Sequence, residues 1–204
     1  MLMSRDRIRP TRQETREQLF EAAAKVFTEQ GTGASVEAIS SAAGLTRGAF
    51  YSNFGGKDDL ITAMLADHIE QSVRRHLDLL ARHPDPDDYM AALRAVDRGE
   101  QDPLGRSPLL HLELLMYAAR TGQRGKEPGE FLRARRQLIA DIVEGTGLAK
   151  SGSGLPDPGQ LAAMLLAMED GFRLHQLIDP DGTPPDSFLR SVSALQEAFR
   201  PAQG

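Results

Sequence analysis

The stretch that decides the fold is SVEAISSAAGLTRGAFYSNFGGKDDL, residues 35–60. Ser35 is placed to cap a short helix whose Val36, Ile39 and Ala43 share one face, and Gly44 ends it. Thr46 can cap a second short helix directly afterwards. The residues that follow are unusual for a helix that only fills a core: Gly48 costs roughly 1 kcal/mol relative to alanine, and Ala49 beside it adds almost no bulk. Such small residues suit a backbone that something else must approach closely. Phe50 and Phe54, four apart, are expected to turn inward and hold the helix against the one before residue 35, leaving Tyr51 outward. Gly55 and Gly56 permit a tight turn. Lys57 then arrives at a new helix start, where free amides and the helix dipole suit a phosphate. Two short helices joined by Ala43-Gly44-Leu45-Thr46 have the layout of a helix-turn-helix, in which the second helix lies in the DNA major groove.

Outward from this stretch the pattern is helical throughout. No segment sustains a period-2 alternation, so the spacing predicts an all-α chain. Thr11 and Glu14 fit a capping box at the head of a helix over 11–30, with Leu19, Ala23, Val26 and Phe27 as its apolar stripe and Gly31 as its stop. Asp58 and Asp59 favour the positive end of a fourth helix that runs to about residue 82. Further helices are expected over 87–98, 108–120, 130–144, 159–178 and 186–200, each bounded by Gly- or Pro-bearing stretches, for nine in all. Residues 145–159 resemble a flexible connector. The division expected is 1–56 for the helix-turn-helix part and 57–204 for a larger helical part.

Composition narrows the function classes. The 204 residues are 40% hydrophobic and contain no cysteine, which excludes disulfides, thiolate metal sites and a cysteine nucleophile. The longest apolar run, residues 161–168, is far short of the roughly 20 residues that span a bilayer, and the first ten residues do not resemble a signal peptide. A cytoplasmic protein without a membrane partner is expected. The net charge is -5, yet cations outnumber anions in the first 57 residues and the reverse holds over the rest. That asymmetry suits a basic module that meets a polyanion, joined to an acidic one that does not.

Taken together, T-R-x-x-T-R over residues 11–16, S-V-x-x-I from Ser35, A-G-L-T-R-G-A-F-Y-S-N-F from Ala43 and K-D-D-L from Lys57 resemble the tetracycline-repressor (TetR) family of transcriptional regulators. The likeness covers about residues 11–60; beyond that it is one of helical layout. It implies a homodimer that binds an inverted-repeat DNA operator, represses transcription and is released by a small-molecule effector. Carried over by position, Arg47 is the expected base-edge contact, since a guanidinium bonds guanine O6 and N7 together. Gly48 and Ala49 form the close-approach face, Tyr51 meets a phosphate, and Ser52 and Asn53 touch bases or backbone. Ser52 departs from the large aromatic found at this place in many relatives. Lys57, Ser35 and Thr46 are expected at phosphates, although the two hydroxyls also serve as plain helix caps. Arg5, Arg7, Arg9 and Arg12 suit either a minor-groove arm or a charged tail.

In the larger part, LLHLELLMY over 109–117 is apolar on nearly every side and is expected to be a buried helix. His111 and Glu113 are the exceptions, and a buried carboxylate needs a partner from the protein or from a ligand. Met64, Met116, Met164 and Met168, with Tyr117, Phe172 and His175, either line an adaptable apolar cavity or simply belong to the core. Leu161, Leu165 and Gly171 on one helix, and Phe188, Val192, Leu195 and Phe199 on the last, suit a four-helix dimer interface or packing within one chain. No catalytic or metal-binding spacing occurs: there is no H-E-x-x-H, no Gly-rich phosphate loop and no G-x-S-x-G, so neither an enzyme nor a cofactor is expected. A helical carrier or interaction module without DNA binding is the competing reading, but it leaves Gly48, Tyr51 and Lys57 without a purpose.

Overall fold

A computed structural model describes residues 11–96, 107–121, 127–145 and 156–198. These form nine helices and no strands: α1 Arg12–Gln30, α2 Val36–Ala42, α3 Arg47–Tyr51, α4 Lys57–Arg82, α5 Pro86–Val96, α6 Pro108–Thr121, α7 Glu127–Gly145, α8 Pro158–Ile178 and α9 Ser187–Ala198. The all-α expectation holds, and the helix ends differ from the sequence reading by a few residues at most. Arg5, Arg7, Arg9, Phe199 and most of the connector after residue 145 lie outside the described residues. The chain divides into two compact units, residues 1–64 and 65–204, with the division inside α4.

Local chemistry sets the boundaries in the first unit. Thr11 accepts from the Glu14 amide through its side chain while Glu14 receives the Thr11 amide at 2.6 Å, so the capping box forms in both directions. Gly31 and Gly44 have φ of +72° and +67°, a region that residues with a Cβ rarely enter, and they end α1 and open the α2–α3 turn. Gly55 and Gly56 do not share this conformation; their turn is fastened instead by the Gly55 amide donating to Asp59 Oδ2 at 2.8 Å. Leu19, Ala23, Val26 and Phe27 of α1, Ile39 of α2, Phe50 and Phe54, and Leu60, Ile61 and Met64 of α4 are all buried. The Phe54 ring stacks on Phe20 at 5.7 Å and tilts against Phe50 at 5.8 Å. Arg16 covers this cluster: its guanidinium lies 4.5 Å from the Phe54 ring centre and donates to the Asn53 carbonyl at 3.2 Å.

In the second unit α8 packs on α6, α7 and α9, and α6 packs on α7. One apolar cluster draws Leu79 from α4, Tyr89 and Met90 from α5, Ile142 from α7, and Leu189 and Val192 from α9. The α6 helix buries a single face, Leu110, His111, Leu114 and Ala118, while Leu109 and Met116 are exposed, so the expectation of burial all round is corrected. Beside this apolar core runs a charged layer. Buried Arg135 of α7 reaches Glu169 at 2.7 Å and Asp170 at 3.2 Å, and Arg173 reaches Glu169 at 2.8 Å.

Burial alone would raise the Glu169 carboxyl, but the charges of Arg173 and Arg135 outweigh it and hold the group at about 2. A carboxyl depressed on folding contributes stability that is complete above its unfolded value of 4.5 and is lost as pH falls towards about 2. Glu169→Gln is therefore expected to destabilise the protein at neutral pH, by up to a few kcal/mol since it leaves two guanidiniums short of a partner. It should also flatten the pH dependence of stability below 4.5. Denaturant melts of both proteins across that range check this; parallel pH profiles would contradict it.

Candidate functional site

The surface of α3 is built by elements too short to stand alone. A five-residue helix lies below the length at which helices persist in water, so its caps and its two anchors define it. Thr46 Oγ1 accepts from the Ala49 amide and Ser35 Oγ accepts from the Ala38 amide, each at 3.1 Å. Both hydroxyls are thus caps, and both residues are exposed. With Phe50 sealed beneath, the outward rim of α3 consists of Arg47, Gly48, Tyr51 and Ser52, while Ala49 and Asn53 are half-buried. Tyr51 is 49% exposed. Ser52 Oγ and Asn53 Nδ2 both donate to the Ala49 carbonyl at 2.8 Å, which closes the helix with side-chain groups.

Gly48 is informative because the fold does not require it. Its φ is not positive, and a Cβ built there meets only Thr46 Oγ1, at an ordinary 3.7 Å. Arg47 is held rather than loose: it pairs with Glu37 of α2 at 2.5 Å and lies 5.8 Å from the Tyr51 ring centre. A hydrogen bond to Tyr51 and then the charge of Glu37 raise its basicity further, so it remains a cation. Lys57 behaves differently from a free phosphate ligand. Its ammonium donates to the carbonyls of Thr32 at 2.7 Å and Ala34 at 3.1 Å, tying the head of α4 to the α1–α2 loop.

The other candidates are scattered. Met64 is buried in the first unit, whereas Met164 and His175 lie exposed on α8. Glu113, Tyr117, Met168 and Phe172 are half-buried. His111 is fully buried, and its Nε2 lies 3.0 Å from Asp170 Oδ1. Burial depresses the His111 imidazole; burial raises Asp170, but the bond from His111 and the charge of Arg135 bring it below the usual carboxylate range. Leu161 and Val192 are buried within one protomer, while Leu165, Gly171, Phe188 and Leu195 are half-buried.

Several participants escaped the sequence reading. Glu37 was assigned no role, and Arg16 entered only as part of the T-R-x-x-T-R pattern. Arg135, Glu169, Asp170 and Arg173 come from two helices far apart in sequence, and His68 meets the His111 ring edge-on at 5.7 Å. His76 Nδ1 lies 2.7 Å from the Tyr89 hydroxyl. For α8, the Glu169-Asp170 pair inside an otherwise apolar helix was the available signal. Among the described residues, no cluster of three or more His, Cys, Asp or Glu is arranged to hold a metal, and no helix is long and apolar enough to cross a membrane.

Comparison with known proteins agrees with this geometry. Residues 19–64 match the family described as bacterial regulatory proteins, tetR family. The HTH-type transcriptional regulator TtgR of Pseudomonas putida is 30% identical, with 83% of each chain covered. Among solved structures, reduced NemR of E. coli superposes with a TM-score of 0.66 at 21% identity, covering 88% of this chain and 96% of that one. A protein from Saccharomonospora viridis solved in complex with choline gives 0.66 at 18% identity, covering 91% and 96%. With TtgR matched at that identity over most of both chains, and with the helix-turn-helix in place, the chain belongs to the tetR family of bacterial transcriptional regulators and is not an enzyme.

Proposed function

We propose that the protein is a ligand-responsive repressor that binds an inverted-repeat DNA operator as a homodimer in the bacterial cytoplasm, and that a small molecule entering the second unit releases it. The observation that carries the DNA-binding part is Gly48. It is exposed, not in a glycine-only conformation and free of internal steric demand, so its smallness serves a body outside the protomer. On α3 that body is the wall of a major groove, reached by Arg47 for a base edge and by the Tyr51 hydroxyl for a phosphate. Ser52 and Asn53 lie at the same end. Arg47 exchanges Glu37 for the base when it binds, so Glu37 also acts against cation-driven attachment to arbitrary DNA. Lys57 positions the α4 head, whose first-turn amides meet the backbone, and offers its remaining charge there.

The α8 surface supports dimerisation. Met164, Ala167, Gly171, Leu174 and Ile178 follow each other at intervals of three and four, and all but the half-buried Gly171 are exposed, Ile178 at 73%. A Cβ at Gly171 would meet nothing within 4 Å of its own chain. An apolar stripe with small residues in the middle suits the close approach of an identical helix across a two-fold axis, with α9 beside it. The S. viridis protein, which shares this fold, binds choline, which accords with a small-molecule role for the second unit.

Three outcomes are expected. Gly48→Ala should raise thermal stability slightly, by up to about 1 kcal/mol, while weakening operator binding in band-shift titrations; unchanged binding would contradict the close-approach role. Arg47→Ala should relax base preference by roughly 1 to 3 kcal/mol, whereas Lys57→Ala should weaken binding to all sequences and also lower the melting temperature. Leu174→Glu should give monomers in sedimentation and cut operator affinity by roughly 100-fold, because the two half-sites no longer act together.

A further inference from the structure

An acidic side chain stands beside the face proposed to meet DNA. Glu37, in the first turn of α2, reaches Arg47 at the head of α3 across 2.5 Å, and the two side chains are 53% and 60% exposed. The contact joins the two helices of the helix-turn-helix, so it sets a carboxylate next to the guanidinium proposed to read a guanine. A carboxylate in a first turn also suits the positive end of a helix. That benefit does not depend on which way the side chain faces, whereas beside DNA the same charge is repelled by every phosphate in range. Among the described residues the cation that Glu37 pairs with is Arg47.

When Arg47 turns to its guanine, Glu37 loses that partner and is enclosed against the duplex. An ionised carboxylate can only accept, so it needs a donor with no acceptor beside it. In the major groove guanine presents N7 and O6 and thymine presents O4, all acceptors that repel a carboxylate. Adenine offers its N6 amino group, but next to the acceptor N7. Cytosine alone presents an amino group, N4, with no acceptor on that edge. The 2.5 Å between the two side chains keeps their targets close, within the roughly 3.4 Å that separates successive bases on a strand. We infer that Glu37 is a second base-reading residue, whose carboxylate accepts from the N4 amino group of a cytosine in the base pair adjoining the guanine read by Arg47. The inference rests on the proposed seating of α3 in the major groove, and it adds the residue and the base. The charge then discriminates in both directions, matched on cytosine and repelled elsewhere.

The test selects binding sites for the full chain from a pool of duplexes of random sequence, in parallel for the unaltered protein, Arg47→Ala, Glu37→Ala and Glu37→Gln. Because Glu37 is exposed, its variants should fold, which melting curves check. Sites selected by the unaltered protein should carry, in each half, a guanine position that Arg47→Ala erases and, in the adjoining pair, a cytosine position that Glu37→Ala erases. Glu37→Gln should turn that cytosine position towards adenine, whose N6 and N7 suit an amide, and leave the guanine in place. In band-shift titrations, replacing the selected C·G pair by T·A should weaken the unaltered protein roughly tenfold or more, but Glu37→Ala by less than about twofold. Acting only as a helix charge or as a brace for Arg47, Glu37 would instead support the guanine position or all positions together; a loss of that kind in its variants would overturn the inference. A cytosine position absent from the selected sites, or unchanged in both Glu37 variants, would also overturn it and leave the regulator standing. A pool that yields no common sequence even for the unaltered protein sinks operator binding itself, and the Glu37 assignment with it.

Discussion

The first unit depends on the burial of Phe50 and Phe54. The α3 helix has five residues, one hydroxyl cap and no length to sustain itself. Two phenyl rings withdrawn from water contribute roughly 1.5 to 3 kcal/mol each, enough to fix so short a segment against α1, and Arg16 closes the edge by lying over one ring and bonding the carbonyl beside it. Because those rings point inward, the helical repeat forces Arg47, Gly48 and Tyr51 outward. The exposed face proposed to read DNA is thus a consequence of where the hydrophobic anchors sit, and it carries little energetic weight of its own.

The same economy explains the polar contacts around α3. Thr46, Ser35, Ser52 and Asn53 are occupied with backbone groups, which is how a loop-rich motif satisfies its amides and carbonyls. Lys57 spends its ammonium on two carbonyls of the α1–α2 loop. Arg47 is held by contacts that are easily given up, an exposed ion pair with Glu37 and the exposed Tyr51 beside it, and such pairs contribute little in water. That difference sorts the rim into residues that shape the surface and one, Arg47, proposed to read bases. The second unit adds another rule: the layer of Arg135, Glu169, Asp170 and Arg173 is largely withdrawn from solvent, so its charges must be matched, and the match extends from Arg135 through Glu169 and Asp170 to His111.

Helix existence, caps and breaks were legible in the residues because they rest on contacts three or four positions apart. The Thr11-Glu14 box, the Ser35 and Thr46 caps, the positive φ at Gly44 and the inward pair Phe50 and Phe54 all follow from local spacing. Sequence reasoning failed where two distant segments meet. It left Leu161 and Val192 open between a dimer interface and packing within one chain, where the structure buries both, and it took 109–117 as a buried helix. An apolar residue is equally content against its own core or a partner's, so composition cannot assign it.

The order of residues by itself determined an all-α chain with a helix-turn-helix near its start, since periodicity, capping and turn chemistry are encoded within single turns of helix. Only the tertiary structure decided that Glu37 holds Arg47, that Lys57 is shared with loop carbonyls, and that Asp170 meets His111 across 59 positions of chain. Those decisions depend on ångström distances between groups remote in sequence. Electrostatic and hydrogen-bond energies change steeply over such distances, and no local pattern records them.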